Sequence, residues 1–153
     1  MDFSDFVLRL LAAMLLGAGI GVERQIKQRS AGLTTNALVS IGACLFVLLS
    51  EMTYLDYEEN IDRLRVVSQI VTGIGFLGAG VIMKDGFTIH GLNTAATIWC
   101  SAAVGSLCGF GMYLEGLMLP LAFLKTLLME RLELLWLLVR KMLARFALIL
   151  LLV

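Results

Sequence analysis

Residues 66–83 read VVSQIVTGIGFLGAGVIM, an apolar run of 18 residues without an acidic or basic side chain. A helix of roughly 17–25 residues crosses the hydrocarbon core of a bilayer, so this run predicts a membrane-spanning helix. Its apolar residues are continuous and do not alternate with polar ones, which favours a helix over a strand of a membrane barrel. The run therefore predicts an all-α integral membrane protein.

Four further apolar runs of similar length occupy residues 6–22, 33–52, 92–110 and 112–128. The whole chain has 153 residues, of which 59% are hydrophobic and 16% charged. We expect a transmembrane domain of five spans over residues 1–129, followed by an amphipathic tail over 130–153. The lipid bilayer is therefore one predicted partner of the chain. The 12 basic and 12 acidic residues leave no net charge and no basic surface typical of nucleic-acid binding.

Basic residues in short loops mark the cytoplasmic side of a membrane protein. The second loop has only Arg63 and Arg65 against four acidic residues. The other basic loop residues fall in the first loop, the third loop and the tail: Arg24, Lys27, Arg29, Lys84, Arg131, Arg140, Lys141 and Arg145. The N-terminus is therefore predicted to be periplasmic and the C-terminus cytoplasmic. No signal-peptide pattern precedes the first run, so we expect it to be retained as a span.

Two segments of the chain repeat. The sequence LGAGI at 16–20 matches LGAGV at 77–81, and GLTTNA at 32–37 matches GLNTAA at 91–96. This spacing predicts two helical hairpins repeated in parallel, followed by a fifth helix. The alternative is independent use of Gly and Ala in membrane helices.

Glycines in the runs predict close helix contacts, because small residues let membrane helices approach each other. The predicted packing positions are Gly17, Gly21, Gly73, Gly75, Gly78, Gly80, Gly105 and Gly109. Residues 73–78 also satisfy the dinucleotide motif G-x-G-x-x-G. That motif needs an acidic residue about 20 positions later, where Ile98, Trp99 and Cys100 stand. Helix packing is therefore the preferred interpretation.

Polar residues at the span boundaries are the functional candidates, since such residues in membrane helices are costly. They are Glu23, Arg24, Gln69, Asn93 and Thr94. Helix capping is the competing interpretation for the residues that open a span. The starts of the second and fourth spans lie on the predicted cytoplasmic side with the cations, an arrangement that would favour an anion or an acidic partner group.

The outer loop between the second and third spans is acidic. Its carboxylates belong to Asp56, Glu58, Glu59 and Asp62. They could bind a hard cation such as Mg²⁺, although a solvated loop without a metal ion is the preferred interpretation. No metal site is otherwise predicted. The sequence has no catalytic motif, so we expect neither an enzyme nor a cofactor.

The sequence blocks at 17–25, 31–39, 69–80 and 91–99 together resemble the MgtC/SapB family of bacterial membrane proteins. The resemblance implies an inner-membrane protein that supports growth at low Mg²⁺ and survival inside host phagocytes by modulating other membrane machinery. The implied partner is a membrane protein, an F-type ATP synthase or an ion-transport ATPase, and a homo-oligomer is an option. The motif match adds Cys100 to the functional candidates and supports Glu23, Arg24, Asn93 and Thr94.

Two departures from the family pattern stand out. The family usually has Arg in the block where this sequence has Thr34. It also usually carries a cytoplasmic ACT-like domain after the fifth span, which we expect to be absent here.

A second function class is a component of a Mg²⁺ transport system, with a polar path along Gln69, Asn93 and Thr97. A protein that modulates other membrane machinery is the preferred function, because no span carries a central Asp or Glu for cation coupling.

The predicted orientation is testable with reporter fusions. Fusions after Gln28 and after Lys141 should report a cytoplasmic location, and a fusion after Glu58 should report an external one, because of the loop charges. A cytoplasmic signal from the Glu58 fusion would show that the charge argument is wrong.

Overall fold

The computed structural model describes residues 1–56, 63–126, 128–129 and 132–133. Within these ranges the chain forms four long helices with a short β-hairpin before the fourth: α1 Phe3–Ile26, α2 Leu33–Asp56, α3 Arg63–Val81, β1 Met83–Asp85, β2 Thr88–His90 and α4 Leu92–Gly109. A further helix, α5, covers 113–126. The tail predicted over 130–153 lies outside the described residues, apart from two helical positions at 132–133.

Three of the described helices are long and apolar enough to cross a membrane: Phe3–Ile26, Leu33–Thr53 and Leu64–Val81. Together they indicate a membrane protein. The fourth and fifth spans stay predictions, because α4 carries several hydroxyl side chains and α5 is short. Those hydroxyls are buried inside the bundle, where Thr94, Thr97 and Ser101 are each at most 4% exposed.

The connection between α3 and α4 corrects the purely α-helical prediction. It is an antiparallel hairpin in which Met83 pairs with His90 and Asp85 with Thr88. In its two-residue loop Gly86 has a φ of +57°, as the first position of a type II′ turn requires. The segment lies between two helices and is too short for a helix of its own, so the chain reverses through paired strands.

α2 is the helix against which α1 and α4 pack most closely, and glycines make these contacts possible. A Cβ at Gly17 would lie 2.5 Å from Ser40 Cβ, and one at Gly21 would lie 2.5 Å from Leu33 Cα. On α4, a Cβ at Gly105 would overlap the backbone oxygen of Ser40. The predicted position Gly109 also faces α2.

The glycines of α3 correct the sequence prediction. A Cβ at Gly73, Gly75 or Gly80 would meet no atom within 4 Å, and one at Gly78 would make an ordinary contact of 3.6 Å with Ala95. Gly73, Gly75 and Gly80 are exposed, and Gly73 borders a groove between α2 and α3. Three of the eight predicted packing glycines therefore make no close contact within the described part of the chain.

The residue numbers of the contacting pairs show how the helices run relative to one another. Between α2 and α4 the residue numbers rise together, from Asn36 with Ser101 to Ser40 with Gly105, so these helices run parallel. Between α1 and α2 they run in opposite senses, because Gly21 faces Leu33 while Gly17 faces Ser40. This arrangement agrees with two hairpins repeated in parallel.

Arg9 joins the end of the bundle at which α1 begins. Its guanidinium pairs with Asp5 at 2.9 Å and with Glu51 of α2 at 3.2 Å. It also donates to the carbonyl oxygen of Gly109 at 2.6 Å, one of the terminal carbonyls that a helix leaves without an internal partner. Arg9 thus links α1, α2 and the C-terminus of α4.

The close contact at Gly105 gives the first prediction from the structure. Gly105→Leu should destabilise the protein by about 1–3 kcal/mol, the usual cost of overpacking, because a side chain there meets the backbone of Ser40. Thermal unfolding in detergent measures the effect. Gly73→Leu is the matched control and should unfold at or above the wild-type temperature; equal stability of the Gly105 variant would contradict the packing.

Candidate functional site

A cavity of about 330 Å³, lined by charged, polar and apolar residues, lies where α1 ends, α4 begins and α5 passes both. It brings together three of the predicted candidates, Glu23, Arg24 and Asn93, and it is also lined by Ala96, Thr97, Ala122, Phe123 and Thr126. α1 supplies the charged residues from its last turns, and α4 supplies Asn93 from its first turn. The apolar wall is provided mainly by α5.

Arg24 is the buried cation of this cavity. It is 7% exposed, and its Nη2 donates to Thr94 Oγ1 at 2.8 Å. Its Nε is buried and has no hydrogen-bond partner among the described residues. None of the carboxylates in the described ranges forms an ion pair with Arg24. The guanidinium is therefore held in place by a neutral hydroxyl, with its charge uncompensated by the described chain.

Glu23 has a partner on its own helix. Lys27 Nζ lies 2.6 Å from Glu23 Oε1, one turn further along the chain. Pairs at this i,i+4 spacing face each other on a helix. The positive charge of Lys27 compensates the carboxylate of Glu23, so the adjacent pair Glu23-Arg24 does not form an internal salt bridge.

Thr94 connects the two hairpins. Its hydroxyl accepts from Arg24 and lies 3.1 Å from Ser30 Oγ in the connection between α1 and α2. At 3% exposure it is nearly closed to solvent. One α4 residue thus fixes both the end of α1 and the loop that follows it.

Asn93 is exposed and is not a helix cap. The N-cap of α4 is Gly91, with a φ of +88° and no side-chain cap hydrogen bond. The capping interpretation is wrong at this position because Gly91 takes the cap conformation, in which a side chain would overlap the carbonyl of Val81. The Asn93 amide therefore faces the cavity instead of the helix backbone.

Asn36 belongs to the adjoining polar network, although the sequence analysis did not place it among the functional candidates. It is fully buried, donates to Gly32 O at 2.8 Å and accepts from Ser101 Oγ at 2.8 Å. The available signal was an amide one turn into an apolar helix, where a polar group needs a partner. That partner lies 65 residues away in sequence, which the pattern could not reveal.

Two predicted candidates lie elsewhere. Gln69 is exposed and borders a different groove, of about 740 Å³, between α2 and α3. Cys100 is half-buried and packs against the apolar core formed by Ala13, Ile20, Cys44, Leu48, Val104 and Cys108.

The acidic residues of the outer loop cannot be placed. Glu58, Glu59 and Asp62 lie outside the described residues, as does the side chain of Asp56. The part of the chain that the structure describes contains no cluster of three or more His, Cys, Asp or Glu residues able to hold a metal ion.

The sequence profile of the MgtC family matches residues 10–133, most of the chain and all of the cavity. The chain belongs to the MgtC family. It is 58% identical to Protein MgtC of Salmonella typhimurium over 112 residues, covering 73% of this chain and 46% of the relative. No solved structure matches it.

Two other relatives show similar coverage. Protein MgtC of Brucella abortus is 57% identical over 67% of this chain and 42% of its own length. An uncharacterised protein of Synechocystis is 53% identical over 77% of this chain and 49% of its own length. The chain thus spans about half the length of the curated MgtC-family relatives it matches.

The contact between Arg24 and Thr94 can be tested by stability. Thr94→Val should destabilise the protein by about 1–3 kcal/mol, because it leaves a buried charged donor without its acceptor. Thr94→Ser keeps the hydroxyl and should lose much less. Equilibrium unfolding in detergent measures both, and equal stabilities of the Val and Ser variants would contradict a hydrogen bond to Arg24.

Proposed function

We propose that this chain is a non-enzymatic bacterial inner-membrane protein that supports adaptation to low Mg²⁺ and survival inside host cells by modulating other membrane machinery. The observation that carries the proposal is the cavity with a buried Arg24, which has no ion-pair partner among the described residues, and an exposed Asn93, in a chain of the MgtC family. Such groups suit recognition of a charged or polar partner group.

The partner that we propose is another membrane protein, of the ATP synthase or ion-transport ATPase type. The α3 face with Gly73 and Gly80 supports a helix-to-helix contact, since these two glycines lie on the same side of the helix and leave room for a neighbouring backbone. A second copy of the chain could use the same face. The cavity and the α3 face would then be two separate parts of the protein, one for recognition and one for assembly.

An ion-conducting role finds less support. A path along Gln69, Asn93 and Thr97 would need these residues to share one cavity. Gln69 instead borders the groove between α2 and α3, whereas Asn93 and Thr97 line the cavity beside α5. The Thr97 hydroxyl is also engaged, because it donates to the carbonyl oxygen of Thr94 at 2.8 Å.

Complementation at limiting Mg²⁺ tests the proposal. Asn93→Thr should insert and accumulate normally, because Asn93 is exposed and does not cap α4, yet it should abolish growth support. Thr carries one hydroxyl donor and cannot replace the two amide N–H groups. The assay is growth of a deletion strain, with the protein level checked by immunoblot.

Gln69→Thr is the control, since it also replaces an exposed side-chain amide with a hydroxyl, but outside the cavity. It should complement fully. Full complementation by Asn93→Thr, or loss of growth with Gln69→Thr alone, would contradict the proposed role of the cavity.

A further inference from the structure

We propose that the cavity at Arg24 binds a phosphate group, supplied either by an anionic phospholipid or by free inorganic phosphate. The proposal goes beyond the family function, because it assigns a ligand chemistry to a specific cavity. Phosphate binding there can be measured whether or not the chain supports growth at low Mg²⁺.

The charge of Arg24 calls for an anion in the cavity. Arg24 is more than nine-tenths buried, and its Nε has no partner in the described part of the chain. A buried charge that is not paired is costly, and native structures rarely leave one uncompensated. Around the cavity the carboxylate of Glu23 is matched by Lys27, so the charge of Arg24 remains. An anion in the cavity would supply the missing counter-charge.

The hydrogen-bond donors around the cavity suit the oxygens of a phosphate. A guanidinium presents several N–H groups in a plane and matches the oxygens of a phosphate with two parallel hydrogen bonds. The Asn93 amide, which lines the same cavity, adds two more donors. α4 begins beside it, without a side-chain cap on its first N–H groups, and the N-terminus of a helix favours an anion. All three features call for a group with several acceptor oxygens.

The apolar residues that line the cavity favour a phosphate attached to a lipid. Besides its charged and polar residues, the cavity is lined by Ala122 and Phe123 of α5 and by Ala96 of α4. The Thr126 hydroxyl is already used, because it donates to the carbonyl oxygen of Phe123 at 2.7 Å. The cavity thus has apolar as well as polar lining, which suits a phosphate that carries a glycerol or acyl portion. Free phosphate would use the polar groups alone.

The test uses the full chain in lipid nanodiscs. One arm uses discs of phosphatidylcholine alone, titrated with inorganic phosphate against chloride at matched ionic strength. The other arm adds phosphatidylglycerol to the discs. Retained lipid is measured by native mass spectrometry, and bound inorganic phosphate by equilibrium binding of the radiolabelled ion.

Three variants accompany the wild type. Asn93→Asp places a carboxylate on the exposed wall of the cavity without removing a buried group, so it should fold normally. Arg24→Gln removes the charge itself. Arg29→Gln makes the same change at an exposed arginine of the neighbouring connection and serves as the control.

We expect the wild type and Arg29→Gln to bind the ligand alike, and Asn93→Asp and Arg24→Gln to bind it about tenfold more weakly, a loss of about 1.4 kcal/mol. Binding of phosphatidylglycerol alone would identify the lipid headgroup as the source, and binding of inorganic phosphate would identify the free ion. Equal binding by the wild type and Asn93→Asp, or no binding in either arm, would overturn the proposal.

Discussion

Ser40 of α2 is the residue on whose close contacts the rest of the structure depends. Gly17 of α1 and Gly105 of α4 both contact this residue, and a Cβ on either glycine would collide with it. Membrane helices gain little from burying apolar surface against one another, so close packing through small residues must hold them together. This contact among three helices places the start of α4 beside the end of α1. Thr94 therefore lies within hydrogen-bond distance of Arg24.

The two arginines of α1 have contrasting surroundings. They are 15 residues apart, or about 22 Å along a helix that rises 1.5 Å per residue. Arg9 is paired with two carboxylates and a helix-terminal carbonyl, which makes it a structural link. Arg24 has a hydroxyl as its partner and lines a cavity. This difference in counter-charge is the reason why we propose the Arg24 end as the end that binds a partner group.

Features that depend on spacing within one segment could be predicted from the sequence, and features that depend on how segments meet could not. The helices follow from the length of the apolar runs. Glu23, Arg24 and Asn93 stood out as polar residues at span boundaries. By contrast, the open space around Gly73, Gly75 and Gly80 and the contact of Asn36 with Ser101 depend on tertiary packing. The hairpin escaped prediction because its three-residue strands are too short for a recognisable alternation.

The central claim is that Arg24 and Thr94 act as one unit that joins the two hairpins. A double-mutant cycle tests it, using Arg24→Gln, Thr94→Val and the combined variant, with the free energy of unfolding in detergent as the measured quantity. Residues in direct hydrogen-bond contact show coupling energies of about 0.5–3 kcal/mol. The account predicts a coupling in that range, so that the second substitution costs little once the first is present. Additive effects of the two substitutions would contradict it.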